Sequence, residues 1–199
     1  GGTLYQHLRH AGKKRKKRYG GSDRRGEIKD RVSIEKRPKT VEKRERIGDW
    51  EIDLVIGKNH QGAVVTIVDR MSLMTLIGKV DSKQAHEVKT TTIGLLKPYR
   101  KTAAHTMTAD NGKEFSSHCE ISTTLGLDIY FAHPYSSWER GTNENMNGLI
   151  RQYLPKGSSF ETVNNEDCAF IMDRLNNRPR KCLNYRTPKE VFEEYLEAS

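Results

Sequence analysis

The chain has 199 residues and a formal net charge of +9, a length that fits one domain with room for a second small element. Hydrophobic residues make up 34% and charged residues 31%. No apolar run approaches the roughly eighteen residues of a membrane span, and no signal-peptide pattern opens the chain, so a soluble, cytoplasmic protein is expected. The three cysteines, Cys119, Cys168 and Cys182, are odd in number and form no C-x-x-C pair. That argues against zinc and a disulfide framework and leaves free thiols as the expectation.

The basic excess is N-terminal. Residues 1–48 hold 17 Lys+Arg against 6 Asp+Glu, whereas residues 49–199 hold 18 against 20. Lys13, Lys14, Arg15, Lys16, Lys17 and Arg18 form an unbroken run. Like charges this dense repel and resist packing. Residues 1–46 are therefore expected to be a flexible basic linker. Binding of phosphate backbone, a solvated tether and a localisation signal are all compatible with its composition. The chain opens Gly-Gly-Thr-Leu rather than with Met, as a piece of a longer protein would, and TLYQHLRH (3–10) reads as the tail of an upstream helix.

From Trp50 the pattern changes. WEIDLVIG (50–57), AVVTIVDR (63–70) and MTLIGKV (74–80) read as three strands joined by loops short enough for an antiparallel meander. SKQAHEVKTTTIGLLKPY (82–99) has helical spacing and stops at Pro98. HTMTAD (105–110) predicts a fourth strand. A helix is expected from Ser116 or Ser117 to Leu125 with Gly126 as its C-cap. DIYFA (128–132) predicts a fifth strand and 133–143 a loop. Helices follow at about 144–154, 166–177 and 188–197, the last opened by a Thr187 cap and Pro188. This order predicts an α/β fold over 47–199, a five-stranded mixed sheet covered by helices.

Three carboxylates stand out. Asp53 lies mid-strand among Ile52, Leu54, Val55 and Ile56, where a buried, unpartnered carboxylate is costly; either it faces solvent with Glu51, which shares its face by alternation, or it has a partner such as a metal ion. Asp110 ends the fourth strand, where ligands gather in open α/β sheets, although with Asn111-Gly112 it could equally be a turn former. Glu144 opens ENMNGLIRQYL; at about 100° per residue it shares a face with Asn147, Gly148 and Arg151, opposite Met146, Leu149, Ile150 and Tyr153. Gly148 costs a helix about 1 kcal/mol relative to Ala, which hints at a close approach there. If the three acids converge, the oxygen cluster suits Mg²⁺ or Mn²⁺. Two such ions about 4 Å apart can activate a water or a 3′-hydroxyl and stabilise the leaving oxygen in phosphodiester displacement. The 33 residues between Asp110 and Glu144 strengthen that reading.

At these residues the chain resembles a known family. The order of elements with Asp, Asp and Glu is similar to the ribonuclease-H-like core of DDE transposases and retroviral integrases. IGDWEIDLVIG (47–57), TADNGKEF (108–115), FAHPYSSWERGTNENMNGLIRQYLPKG (131–157) and LNNRPRKCLNYRTPKEVF (175–192) resemble bacterial transposases of the IS-thirty insertion-sequence family, as does the basic lead-in. The resemblance implies that Asp53, Asp110 and Glu144 are a catalytic, metal-binding triad. It implies Mg²⁺ or Mn²⁺, two ions, as cofactor, and a cytoplasmic, nucleoid-associated enzyme that cleaves element ends and joins them to target DNA. A homo-oligomer on DNA and no membrane partner are expected. A nuclease of the same fold and a non-catalytic DNA-binding remnant are the alternatives. Family members begin with a helix-turn-helix region, of which this sequence holds at most TLYQHLRH. Arg151 is expected on DNA phosphate or in a structural salt bridge. Trp138 with Arg140 would hold unpaired DNA, or Trp138 would pack in the core. Asn111 and Glu114 would support Asp110 or the following helix, with Glu114 as an alternative fourth ligand, and Asn147 is a further supporting residue. Asp69 is expected to pair with Arg70, and Asn176 to Arg180 to form a basic loop with a slight leaning to phosphate contact.

Overall fold

The computed structural model describes residues 3, 28–134 and 136–198. The sheet has six strands: β1 (Val32–Ser33), β2 (Asp49–Ile56), β3 (Ala63–Asp69), β4 (Thr75–Val80), β5 (Thr106–Ala109) and β6 (Asp128–Phe131), in the order β1-β6-β5-β2-β3-β4. β2, β3 and β4 form an antiparallel meander, while β5, β6 and β1 add parallel to β2 and to one another. The meander follows from its short loops, and the parallel pairs follow from helical crossovers.

The helices are α1 (Lys39–Lys43), α2 (Ala85–Leu96), α3 (His118–Leu125), α4 (Gly141–Ile150), α5 (Asn165–Asn176) and α6 (Pro188–Ala198). Their ends are chemically marked. Gly126 closes α3 at φ 71°, a left-handed cap that glycine adopts without strain. Asn164 and Asp167 form a reciprocal capping box on α5, and Thr187 with Glu190 does the same on α6. Ser117 precedes α3 without a side-chain cap bond.

Alternation along the strands gives the sheet two buried faces. Trp50, Ile52, Leu54, Val65 and Ile67 pack with Val88 and Leu96 of α2, Ile121 and Leu125 of α3, and Phe192 of α6. Val55, Val64, Val68 and Ile77 pack with Met146 and Ile150 of α4 and Cys168, Ile171 and Leu175 of α5. Glu51 and Asp53 alternate onto this second face. Gly48, at φ 98°, turns the chain into β2; a Cβ there would lie 2.8 Å from the Ala103 backbone carbon, so no larger residue fits.

Two expectations need correction. The sheet has six strands rather than five, because β1 comes from the segment read as linker and pairs with β6. The flexible linker does not extend to residue 46. Ile28, Ile34 and Val41 are buried, and four arginines of this stretch bond to the rest of the fold. Arg37 Nη1 donates to Thr108 Oγ1 at 2.9 Å, Arg44 Nη2 to Thr142 Oγ1 at 3.1 Å, and Arg31 to Asn111 Oδ1. Arg46 makes a bidentate contact with Asp49 at 2.9 and 3.0 Å. The basic run Lys13–Arg18 lies outside the described residues. No helix among the described residues is long and apolar enough to cross a membrane.

Candidate active site

Asp53 and Asp110 come together where β2 and β5 run side by side. Glu51 is in register with Thr108, so two residues further on Asp53 stands opposite Asp110, just past the end of β5. Asp110 is held by a tight turn in which the Gly112 N–H donates to Asp110 Oδ1 at 2.8 Å. The expected turn therefore forms, but without positive φ, since Gly112 sits at φ −71°. Asp53 Oδ1 accepts the Leu54 N–H at 2.9 Å, and Oδ2 accepts Asn147 Nδ2 at 2.9 Å.

Burial pushes the Asp53 carboxyl above its usual range and the negative charge of Asp110 adds to this, while Arg140 and the Leu54 N–H pull it back. Glu114 is raised in the same way, first by burial and then by the charges of Asp110 and Asp53. Asn111 does not orient Asp110. Its side chain donates to the Ala132 carbonyl and accepts from Arg31, tying β6 to the segment before β1.

Arg140 departs most from expectation. The expectation is a DNA contact, yet Arg140 is 9% exposed. Its Nη1 lies 3.4 Å from Asp53 Oδ2 and its Nη2 lies 3.5 Å from Asp110 Oδ2, so one guanidinium spans both carboxylates. Nη1 also donates to the Ile52 carbonyl at 3.2 Å. Trp138, two residues earlier, is 64% exposed, which removes the core-packing reading.

Glu144 is exposed on the first turn of α4. It stands three residues before Asn147 and so on the side of the helix from which Asn147 reaches Asp53. Among the described residues no three His, Cys, Asp or Glu side chains stand close enough to share a metal ion. Asp53 and Asp110 supply the hard oxygen donors that Mg²⁺ or Mn²⁺ prefers, and Glu144 would have to turn inward to join them.

The helix carrying Glu144 is fixed by a network that sequence reasoning missed. Glu51, fully buried, accepts the Asn143 N–H on Oε2 at 2.8 Å. Its other oxygen pairs with Arg70, whose Nε donates to the Val41 carbonyl at 3.1 Å. Thr66 Oγ1 lies 3.3 Å from the Asp53 carbonyl, 3.1 Å from Asn143 Oδ1 and 3.0 Å from Asn147 Oδ1. The available signal was Asn143 and Asn147 at i,i+4 spacing around Glu144, with Glu51 alternating with Asp53.

Other expectations are corrected. Arg151 donates to the Ile56 carbonyl at 3.1 Å and lies over Phe160 at 5.5 Å, so it closes the end of β2 rather than reaching outward. Asp69 does not pair with Arg70; it accepts from the N–H groups of Gly48, Met71 and Ser72 and from the Ser72 hydroxyl. In the 176–180 stretch, Asn176 pairs with both backbone groups of Thr75 and Arg180 donates to the Leu175 carbonyl. The three cysteines are free.

No family model matches the chain. It is 49% identical over 98% of its length to a transposase for insertion sequence element IS4351 from Bacteroides fragilis, covering 60% of that protein. It is 43% identical over 95% of its length to the transposase for IS1086 from Cupriavidus metallidurans, covering 56%. It is 36% identical over 94% of its length to the transposase InsI for IS30A from Escherichia coli K12, covering 50%. In fold it is similar to the catalytic core domain of BIV integrase, with a TM-score of 0.56 at 18% identity, over 75% of this chain and 95% of that one. A chain of the simian T-cell lymphotropic virus intasome in complex with PP2A regulatory subunit B56 gamma gives a TM-score of 0.57 at 18% identity, over 73% of this chain and 55% of that one. The fold is thus that of integrase cores, ribonuclease-H-like, and the chain, which spans about half to three-fifths of the length of these curated relatives, is similar over that span to insertion-sequence transposases.

Proposed function

We propose that the chain carries the catalytic centre of a DNA transposase, which cleaves a phosphodiester at an element end and joins the freed 3′-hydroxyl to a target strand. The observation that supports this best is the pairing of Asp53 with Asp110 across β2 and β5, with Glu144 on the helix that Asn147 ties to Asp53. Asp53, Asp110 and Glu144 would hold one or two Mg²⁺ or Mn²⁺ ions, which when bound supply Lewis acidity to the attacking and leaving oxygens. The protein's own part is positional. Asn147 and the Leu54 N–H fix the two oxygens of Asp53, the Gly112 N–H fixes Asp110, and the Glu51–Asn143 contact sets α4 against the sheet. Water and DNA hydroxyls are the nucleophiles, so no covalent protein intermediate is required.

DNA is the partner, engaged as a homo-oligomer. The basic run Lys13–Arg18 would contribute salt-sensitive phosphate binding, and exposed Trp138 a surface for unpaired bases. The test is cleavage and joining of an oligonucleotide carrying the element end, with Mg²⁺. Wild-type chain should yield both products, and Asp53→Asn, Asp110→Ala and Glu144→Gln neither. Full activity of Asp110→Ala would overturn the assignment, and cleavage without joining would indicate a nuclease.

A further inference from the structure

Arg140 meets its carboxylates differently from Arg46. Arg46 grips Asp49 with two bonds of 2.9 and 3.0 Å, the short distances of a charge-assisted fork. Arg140 instead stands 3.4 and 3.5 Å from its two carboxylates, although it is almost fully buried. Its Nε, like those of Arg37 and Arg180, is buried with no hydrogen-bond partner among the described residues, a costly state for a buried donor. A guanidinium kept for rigidity would use its fork on one carboxylate. This one is divided between two and loosely held by both.

Its backbone setting is open to movement. Arg140 ends a single 3₁₀ turn (Ser137–Arg140) and has non-helical φ/ψ of −122° and 41°, so the turn is offset from α4. A Cβ added at Gly141 would meet nothing within 4 Å. The same turn carries the exposed Trp138.

We propose that Arg140 is a built-in competitor for the divalent cation: its guanidinium neutralises Asp53 and Asp110, and a cation binds them only as Arg140 withdraws, carrying the Trp138 turn with it. This rests on the reading of Asp53 and Asp110 as cation ligands. Two positive groups cannot share so small a space between the same two carboxylates, so cation affinity is lowered by the fraction of time Arg140 occupies it. Withdrawal also frees a cation beside the cleft, where a DNA phosphate would meet it.

The test is calorimetric titration of the 199-residue chain with Mg²⁺, comparing wild type, Arg140→Gln, Arg140→Lys and Asp53→Asn, with Trp fluorescence followed in parallel. Arg140→Gln should bind Mg²⁺ roughly tenfold more tightly, the factor expected if the guanidinium fills the cleft about nine-tenths of the time. Arg140→Lys, which keeps the charge but cannot span both carboxylates, should fall between and decides the matter if Arg140→Gln does not fold. Mg²⁺ should change the fluorescence of wild type, and Trp138→Phe should abolish that change, since Trp50 is fully buried and packed against Tyr99 and Phe192. Equal or weaker Mg²⁺ binding by both Arg140 variants would overturn the competition while leaving the site intact. Undiminished binding by Asp53→Asn would instead overturn the cation site on which the proposal rests.

Discussion

Glu51 and Asn143 are joined twice: the Asn143 N–H donates to the Glu51 carboxylate at 2.8 Å, and Asn143 Nδ2 donates to the Glu51 carbonyl at 2.9 Å. No side chain at the start of α4 caps the helix locally. A carboxylate from the neighbouring strand does it instead, in the position where negative charge suits a helix N-terminus. The strand that carries Asp53 thereby fixes the helix that carries Glu144.

Glu51→Gln should therefore destabilise the fold strongly. It leaves Arg70 buried without its counterion and can put an amide N–H against the Asn143 N–H. Breaking a buried pair from one side costs about 3–5 kcal/mol. Urea unfolding followed by circular dichroism measures this, and a loss under 1 kcal/mol would show that α4 is held mainly by its apolar face.

His133 should titrate above its ordinary value of 6.5. Nδ1 lies 2.8 Å from Glu139 Oε1 and Nε2 lies 3.3 Å from Glu35 Oε1, and only the imidazolium can donate from both nitrogens. Glu139 is the larger cause and Glu35 the smaller. The folded value is raised, so the contribution to stability is full below the unfolded value and is lost as pH rises through the folded one. Titration of the His133 ring by NMR should show a downward shift in Glu139→Gln, and an unchanged value would sink this account.

The sequence made some of this legible and hid the rest for identifiable reasons. Asp53 was visible because a carboxylate inside an apolar strand needs a partner, and Asp110 because a strand ended at an acid followed by a turn. Both signals are local. β1 was hidden because it is two residues long and its partner Tyr130 lies 98 positions further on. Arg140 was hidden because nothing in SSWERG says which way the turn faces. Its direction is set by the Ile52 carbonyl and two carboxylates, all distant in sequence. Arg151 shares the face of Glu144 only on a continuing helix, and α4 ends at Ile150.

Arg151→Ala should thus behave as a stability variant. It removes the donor to the Ile56 carbonyl and the cation over Phe160, together worth about 1–2 kcal/mol. The salt dependence of DNA binding should keep its slope. A slope lower by about one, the mark of a lost phosphate contact, at unchanged stability would restore the reading as a DNA ligand.

Asn147 offers the most direct check on the site. Its Nδ2 donates to the Asp53 carboxylate at 2.9 Å, while its Oδ1 accepts from Thr66 Oγ1 at 3.0 Å. Removing it leaves the carboxylate free to rotate toward Arg140, the stronger electrostatic partner. Outer partners of this kind typically change metal affinity or activity by about 10–100-fold, so Asn147→Ala should lose strand cleavage by such a factor. Thr66→Val touches Asp53 only through its carbonyl and through Asn147, so its loss should be smaller. Single-turnover cleavage assays rank the two. If Thr66→Val were the worse variant, the network would act through the β2–β3 pairing and not through the orientation of Asp53.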